Sequence, residues 1–124
     1  MDLALILLLI FAGGAAGAIA RFHLVRALEM QVRFPAWFGI MCVNIIGCLG
    51  IGILAAVLGK DHPAASALLL TGLLGGFTTF STAMLDAWIL RLNCSLGGFS
   101  LVLFGTPLFG IPAAAFGLWI GGGA

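Results

Sequence analysis

Four long stretches without charged residues constrain this chain more than any other feature. Asp, Glu, Lys and Arg are absent from residues 3–20, 34–59, 62–85 and 92–124. Each stretch is close to or above the roughly 20 residues that an α-helix needs to cross the hydrocarbon core of a bilayer. Of the 124 residues, 63% are hydrophobic and 7% are charged, which excludes an ordinary soluble domain. We therefore expect an all-α membrane protein with a single domain, residues 1–124, and four spans at about 3–27, 34–59, 63–91 and 96–121.

The sequence contains no pattern typical of enzyme chemistry. A nucleophile elbow, a phosphate-binding loop and paired carboxylates are all missing. Cys42, Cys48 and Cys94 form no C-x-x-C pair and lie in apolar stretches, which favours small core residues over a disulfide framework or a metal site. We expect neither an enzyme nor a protein that binds nucleic acid.

Glycines are concentrated at spacings that allow helices to approach closely. Such spacing occurs in the first two spans, at Gly13, Gly14, Gly17, Gly47, Gly50 and Gly52. Small residues three or four positions apart form the contact surfaces of many membrane helices. The simplest interpretation of these glycines is tight helix packing.

A few polar side chains fall at membrane depth, where an unsatisfied polar group costs several kcal/mol. They are Asn44, Ser81, Thr82 and Thr106. Each needs a partner or a water-filled path. For Asn44, the alternative to a functional role is a hydrogen bond between helices, which is worth about 1 kcal/mol.

The third span carries the segment GGFTTFST, residues 75–82, in the middle of its apolar run. Two adjacent glycines relax a helix and free backbone carbonyls, which must then be satisfied within the protein. Carbonyl oxygens exposed in this way are good ligands for a hard cation such as sodium. The segment therefore predicts a third helix that is broken near its middle, with a simple packing notch as the alternative.

The charge of the loops predicts an orientation in the membrane. One side of the membrane receives Arg21, Arg26, Arg33 and Arg91, and the other receives only Lys60. The positive-inside rule then favours termini on the outside. The bias falls to three against one if Arg21 is drawn into the protein.

Three segments together resemble the signatures of one family. GGAAGAIARF at 13–22, VNIIG at 43–47 and GLLGGFTTFST at 72–82 are similar, in order and spacing, to those of the Fluc (CrcB-like) fluoride channels. The chain length and the four-span plan match as well, so the resemblance covers nearly the whole chain. Each motif alone is weak, but the combination is specific.

The resemblance implies a passive channel that exports fluoride from the cytoplasm across the plasma membrane, which is the inner membrane in a bacterium. It implies an antiparallel, dual-topology dimer with two pores and a structural sodium ion bound by the backbone carbonyls of Gly75 and Thr78. Phe80 would then face a pore, Asn44 would supply an amide donor, and Arg21 would be a vestibule or structural group.

Ion chemistry supports an anion path on separate grounds. Fluoride is small and strongly hydrated, so a pore must replace its water with hydrogen-bond donors and the electropositive edges of phenyl rings. The candidate donors are the amide of Asn44 and the hydroxyls of Ser81, Thr82 and Thr106. The sequence has no Lys or Arg in mid-span, where a full charge would bind the ion too tightly to release it.

The chain departs from the family pattern at Ala83, where a second phenylalanine is usual. Residues 80 and 83 share a helix face, so the path would lack one aromatic ring unless Phe104 or Phe109 replaces it. This leaves two alternatives open: a subunit that pairs with an oppositely oriented paralogue, and a non-transporting partner. A small proton-coupled exporter is less favoured, because residues 3–20 lack the carboxylate that such a protein needs.

Overall fold

The computed structural model describes residues 2–122 and consists of long helices. Within this range, four helices are long and apolar enough to cross a membrane: α1 (Leu3–Gln31), α2 (Ala36–Leu58), α3 (Pro63–Leu92) and α4 (Leu96–Gly121). The all-α class with four potential spans is thus confirmed, and the chain is a multi-pass membrane protein. Positions 1, 123 and 124 of the expected domain lie outside the described residues. Helix α1 continues beyond the expected position 27, to Gln31.

The helix starts have local causes. Asp2 caps α1, because its carboxylate accepts a hydrogen bond from the Ala4 N–H. Pro35 directly precedes α2, and Pro63 is the first residue of α3. Proline suits the first turn because its missing N–H would have no partner there in any case. The connections between the helices are short, and each contains one residue with positive φ: Arg33, Gly59 and Cys94.

Helix α3 does not follow one regular path. Residues 66–74 form a widened, π-helical segment, and the backbone then becomes extended at Thr78 (ψ 158°) and Thr79 (ψ 123°). Regular helix resumes at Phe80 and continues to Leu92. The interruption thus lies just after the Gly75-Gly76 pair and divides α3 into an N-terminal half, residues 63–77, and a C-terminal half, Phe80–Leu92.

Helices pack in two close pairs, α1 with the N-terminal half of α3 and α2 with α4. Glycine makes both contacts possible. A methyl group on Gly13 or Gly17 would collide with the backbone around Leu73, and one on Gly52 would collide with the backbone of Ala114. The prediction of close packing through these three glycines is confirmed.

A small core joins the C-terminal half of α3 to α2 and α4. Its buried members are Ile40, Ala83, Ala87 and Val102. Most other large apolar side chains point outward, including Phe11 and Phe80, which are 76% and 78% exposed. Outward-facing apolar side chains are what a lipid environment favours, because lipid tails solvate them.

Candidate functional site

Asn44 is hydrogen-bonded to the interruption of α3. Its side-chain Nδ2 donates to the carbonyl of Thr79 at 2.9 Å, and its Oδ1 accepts from the N–H of Thr79 at 2.8 Å. Asn44 is only 8% exposed. Among the described residues, it is the single polar or charged residue that is buried. The two bonds satisfy backbone groups that the extended conformation removes from the helical ladder. The amide of Asn44 thus forms hydrogen bonds between two helices, which was the alternative to a functional role. Its second N–H remains free for another acceptor.

The two threonines of the interruption also bond locally. The hydroxyl of Thr79 accepts from the Thr82 N–H at 3.3 Å and caps the C-terminal half of α3. The hydroxyl of Thr78 donates to the carbonyl of Leu74 at 2.9 Å. A helix cap such as that of Thr79 stabilises a helix start by about 1 kcal/mol. Both strand-like residues are therefore held in place by their own side chains.

Two backbone carbonyls at the interruption have spare acceptor capacity. In a continuous helix the Gly75 carbonyl would accept from the Thr79 N–H, which is instead bonded to Asn44. The Thr78 carbonyl accepts from Nη1 of Arg21 at 3.1 Å, and a carbonyl oxygen has a second lone pair. The space around Gly75 is open, with no atom within 4 Å of a Cβ placed there. Among residues 2–122, no group of three or more His, Cys, Asp or Glu side chains is arranged to hold a metal ion.

Arg21 lies at a basic mouth formed mainly by α1. This mouth cavity has a volume of about 510 Å³, and its polar lining consists of Arg21, Arg26, Glu29 and Thr82. Two arginines against one glutamate give the lining a positive balance, which attracts anions. Thr82 therefore lines the same cavity as Arg21. It does not line either of the two cavities, described next, to which Asn44 contributes.

Two further cavities meet beside the interruption. The break-side cavity, about 250 Å³, reaches Thr78 and Thr79. The Ala83 cavity, about 390 Å³, lies between α2, the C-terminal half of α3 and α4. Both are lined by the same four residues, which mark the place where they meet: Asn44, Cys48, Phe80 and Thr106.

Three of these four side chains were predicted site residues, and the structure brings them together. Thr106 has a buried hydroxyl oxygen with no hydrogen-bond partner among the described residues. Phe80 is 78% exposed at the edge of both cavities. Ser81, by contrast, is exposed and borders none of the three cavities, although its hydroxyl lies 3.4 Å from that of Thr79.

Ala83 borders the cavity named after it, although it is only 3% exposed. The two phenylalanines that were considered as replacements for a ring at this position lie elsewhere. Phe104 and Phe109 are 65% and 53% exposed, and neither lines the cavity. Within the described chain, the space beside Ala83 is therefore not filled by a neighbouring aromatic residue.

Two members of the site were missed from the sequence, although both carry a signal. Cys48 follows Asn44 by one helical turn and thus shares its face, but its apolar surroundings suggested a core residue. Thr79 stands just before a helical run, and threonine is one of the residues typical of the position that caps a helix start. Its pairing with Asn44 has no comparable signal.

The fold and the site define a class: a small multi-pass membrane protein with an interrupted helix, neutral donors and an exposed ring beside the interruption, and a separate basic cavity formed mainly by α1. The comparison with known families agrees. The sequence model for "CrcB-like protein, Camphor Resistance (CrcB)" matches residues 8–118. The chain belongs to this family.

Several relatives are named fluoride-specific ion channels. FluC of Paracoccus denitrificans is 39% identical over 115 residues, covering 90% of each chain. FluC of Phocaeicola vulgatus is 34% identical over 118 residues, covering 92% of this chain and 96% of the relative. A protein named FluC 2, from Thermobifida fusca, is 42% identical over 85 residues, covering 66% of this chain and 62% of the relative.

Proposed function

We propose that the chain forms a passive, fluoride-selective channel that exports fluoride from the cytoplasm through the plasma membrane, the inner membrane in a bacterium. The observation that carries the proposal is the lining where the break-side and Ala83 cavities meet. Asn44, Thr106 and Phe80 line this place, and none of them is charged. The names of the relatives point to the same ion.

The donors at this place suit a small anion. One N–H of Asn44 is bonded to Thr79, and the second has no acceptor among the described residues. The hydroxyl of Thr106 is equally unpaired there. An amide N–H, a hydroxyl and the positive edge of a phenyl ring can together replace part of the ion's hydration shell. Because each group is neutral, the ion is held weakly enough to leave.

The basic mouth supplies the approach to this path. Arg21 and Arg26 line it together with Thr82. Positive charge in a concave, low-dielectric wall raises the local concentration of anions and their entry rate. Thr82 provides a hydroxyl in the same lining, and Ser81, which is exposed, provides one that is available to a partner chain.

The exposed face of the interruption supports assembly with a second chain in antiparallel orientation. Gly75 and Phe80 are exposed, and the extended residues between them carry backbone polar groups at membrane depth. Lipid cannot satisfy such groups, so protein must cover them. A second copy with opposite topology places the same polar strip against its counterpart and creates two equivalent paths.

A structural sodium ion fits the carbonyl oxygens of this strip. Gly75 has lost its helical donor and Thr78 keeps a free lone pair, so both oxygens can bind a hard cation. Two antiparallel chains would contribute four such ligands. Bound there, sodium neutralises carbonyl dipoles that would otherwise face lipid or each other.

A heteromeric or non-transporting partner subunit is the second candidate, and Ala83 is the observation that favours it. The unfilled cavity beside Ala83 leaves the path with one ring, Phe80. The loop charge, with Arg26, Arg33 and Arg91 on one side, also favours a single orientation, which requires an oppositely oriented paralogue.

Fluoride efflux from liposomes that contain only this chain tests the proposal. A fluoride electrode reports release when valinomycin and potassium compensate the charge and no proton gradient is present. We expect rapid fluoride release and slow chloride release. Absence of release would favour the partner-subunit candidate, and release that requires a proton gradient would indicate an exporter.

A further inference from the structure

We propose that Arg21 opposes the binding of sodium to the backbone carbonyl of Thr78, because its guanidinium already occupies this oxygen. Arg21 is then a cation built into the chain: it stabilises the interruption of α3 when sodium is absent and weakens sodium binding when the ion is present. The inference rests on the sodium ion of the proposed function. It gives Arg21 a role separate from its place in the mouth cavity.

The contact of Arg21 with the interruption is direct. Its Nη1 donates to the Thr78 carbonyl at 3.1 Å, across 57 positions of sequence. In a continuous helix this carbonyl would accept from the Thr82 N–H, which is bonded to the Thr79 hydroxyl instead. An unpaired carbonyl at membrane depth is costly. Arg21 therefore satisfies, within one chain, a group that is proposed to bind sodium in the assembly.

The direction of the Thr78 carbonyl is fixed by contacts other than that of Arg21. The Thr78 hydroxyl is bonded to the preceding turn, and a methyl group on Gly47 would collide with the methyl group of Thr78. The next residue, Thr79, is held by two hydrogen bonds from Asn44. The carbonyl should therefore keep its direction when Arg21 is replaced. Loss of the guanidinium then frees the oxygen and does not misplace it.

Charge decides the sign of the coupling. The guanidinium group is always positive, and a cation bound to the same oxygen would lie close to it. Like charges at such a separation repel strongly, since the effective dielectric constant within a protein is far below that of water. The bond from Arg21 also engages one of the two lone pairs of the oxygen. Both effects lower the affinity for sodium, and by linkage sodium weakens the bond from Arg21 to the same degree.

The coupling is tested by titration of sodium against the thermal stability of the purified full chain in detergent. N-methylglucamine replaces sodium so that ionic strength and chloride stay constant, and tryptophan fluorescence reports unfolding. Arg21→Met removes both the charge and the donor. We expect this variant to be less stable than the wild type without sodium and to regain most of the loss at saturating sodium. Its sodium midpoint should be about tenfold lower, a typical coupling between two sites.

Two further variants separate this coupling from a general effect of charge. Arg26→Met removes a charge from the same helix and the same cavity lining, but Arg26 is bonded to Met30 and not to Thr78. Its sodium midpoint should stay at the wild-type value. Arg21→Lys keeps the positive charge and should restore a midpoint close to that of the wild type. If Arg21→Met does not fold, Arg21→Gln, which is also uncharged, takes its place.

Each outcome bears on the inference. If sodium stabilises the wild type but the midpoint of Arg21→Met is unchanged or higher, the inference is overturned and the sodium proposal stands. An equal shift in Arg26→Met would also overturn it. If sodium affects neither the wild type nor Arg21→Met, the inference and the sodium proposal both fail. A wild type that does not respond to sodium, beside an Arg21→Met variant that does, would show that Arg21 excludes the ion altogether and would support the inference in its strongest form.

Discussion

Asn44 supplies Thr79 with both of the backbone hydrogen bonds that the interruption of α3 denies it. The amide donates to the carbonyl at 2.9 Å and accepts from the N–H at 2.8 Å, across 35 positions of sequence. One side chain thereby fixes α2 against the place where α3 is extended. Since Asn44 also borders the cavities of the proposed ion path, the same residue stabilises the interruption and contributes to the site.

Replacement of Asn44 by alanine should lower both stability and flux. Two backbone groups of Thr79 would lose their partners, at a cost of about 1–3 kcal/mol each. We expect a lower unfolding temperature of the solubilised chain and a loss of most fluoride efflux. Cys42→Ala, on the same helix but outside the cavities, is the control. Wild-type stability and flux in Asn44→Ala would show that neither role is real.

The charges of the mouth cavity should act on flux with opposite signs. Arg26→Gln removes an attractive charge for an anion and should slow efflux at low ionic strength. Glu29→Gln removes a repulsive charge from the same lining and should accelerate it. Both effects should shrink at 1 M of an impermeant salt, since the screening length then falls to about 3 Å. Changes of the same sign, or changes that persist in high salt, would contradict an electrostatic mouth.

Gly75→Ala should weaken the association of two chains without affecting the folding of each chain. The residue has helical backbone angles and open space around it, so an added methyl group meets nothing within the described chain. A partner that covers this face would meet it. We therefore expect normal helix content but a weaker dimer, measured by light scattering in detergent. Gly97→Ala, also in open space, should leave assembly unchanged. Unaltered dimerisation of Gly75→Ala would place the partner elsewhere.

Sodium should stabilise the assembly through the carbonyls of Gly75 and Thr78. Exchange of sodium for a large organic cation such as N-methylglucamine should lower the thermal stability of the dimer and the flux together. The reason is that carbonyl oxygens on a fixed backbone match a small, hard cation better than a bulky one. Indifference of both stability and flux to the cation would contradict the sodium proposal.

Ala83→Phe tests whether a second ring improves the path. The side chain would enter the cavity of about 390 Å³ beside Phe80 and add an electropositive edge to the lining. We expect faster fluoride efflux from liposomes that contain the variant alone. If the wild type already conducts rapidly and the added ring brings no gain, position 83 need not be aromatic and a homodimer is sufficient.

The sequence predicts the membrane fold well because charge is excluded from hydrocarbon and proline marks helix starts. Helix α1 extends further than predicted because the loss of apolar character at Arg26 and Glu29 marks the membrane surface, not the end of a helix. The pairing of Asn44 with Thr79 depends on the register between α2 and α3, which no local pattern encodes. For the same reason, Thr82 and Asn44 were predicted as one set of donors, yet they border separate cavities.

The reversal potential of a planar bilayer that contains the purified chain tests the central claim most directly. With a tenfold gradient of fluoride, equal chloride and equal pH on both sides, a passive fluoride-selective path predicts a reversal potential of about 59 mV in magnitude, the value for one charge per ion. A superimposed pH gradient should not shift it. A reversal potential near zero, or one that follows the pH gradient, would contradict a passive fluoride channel.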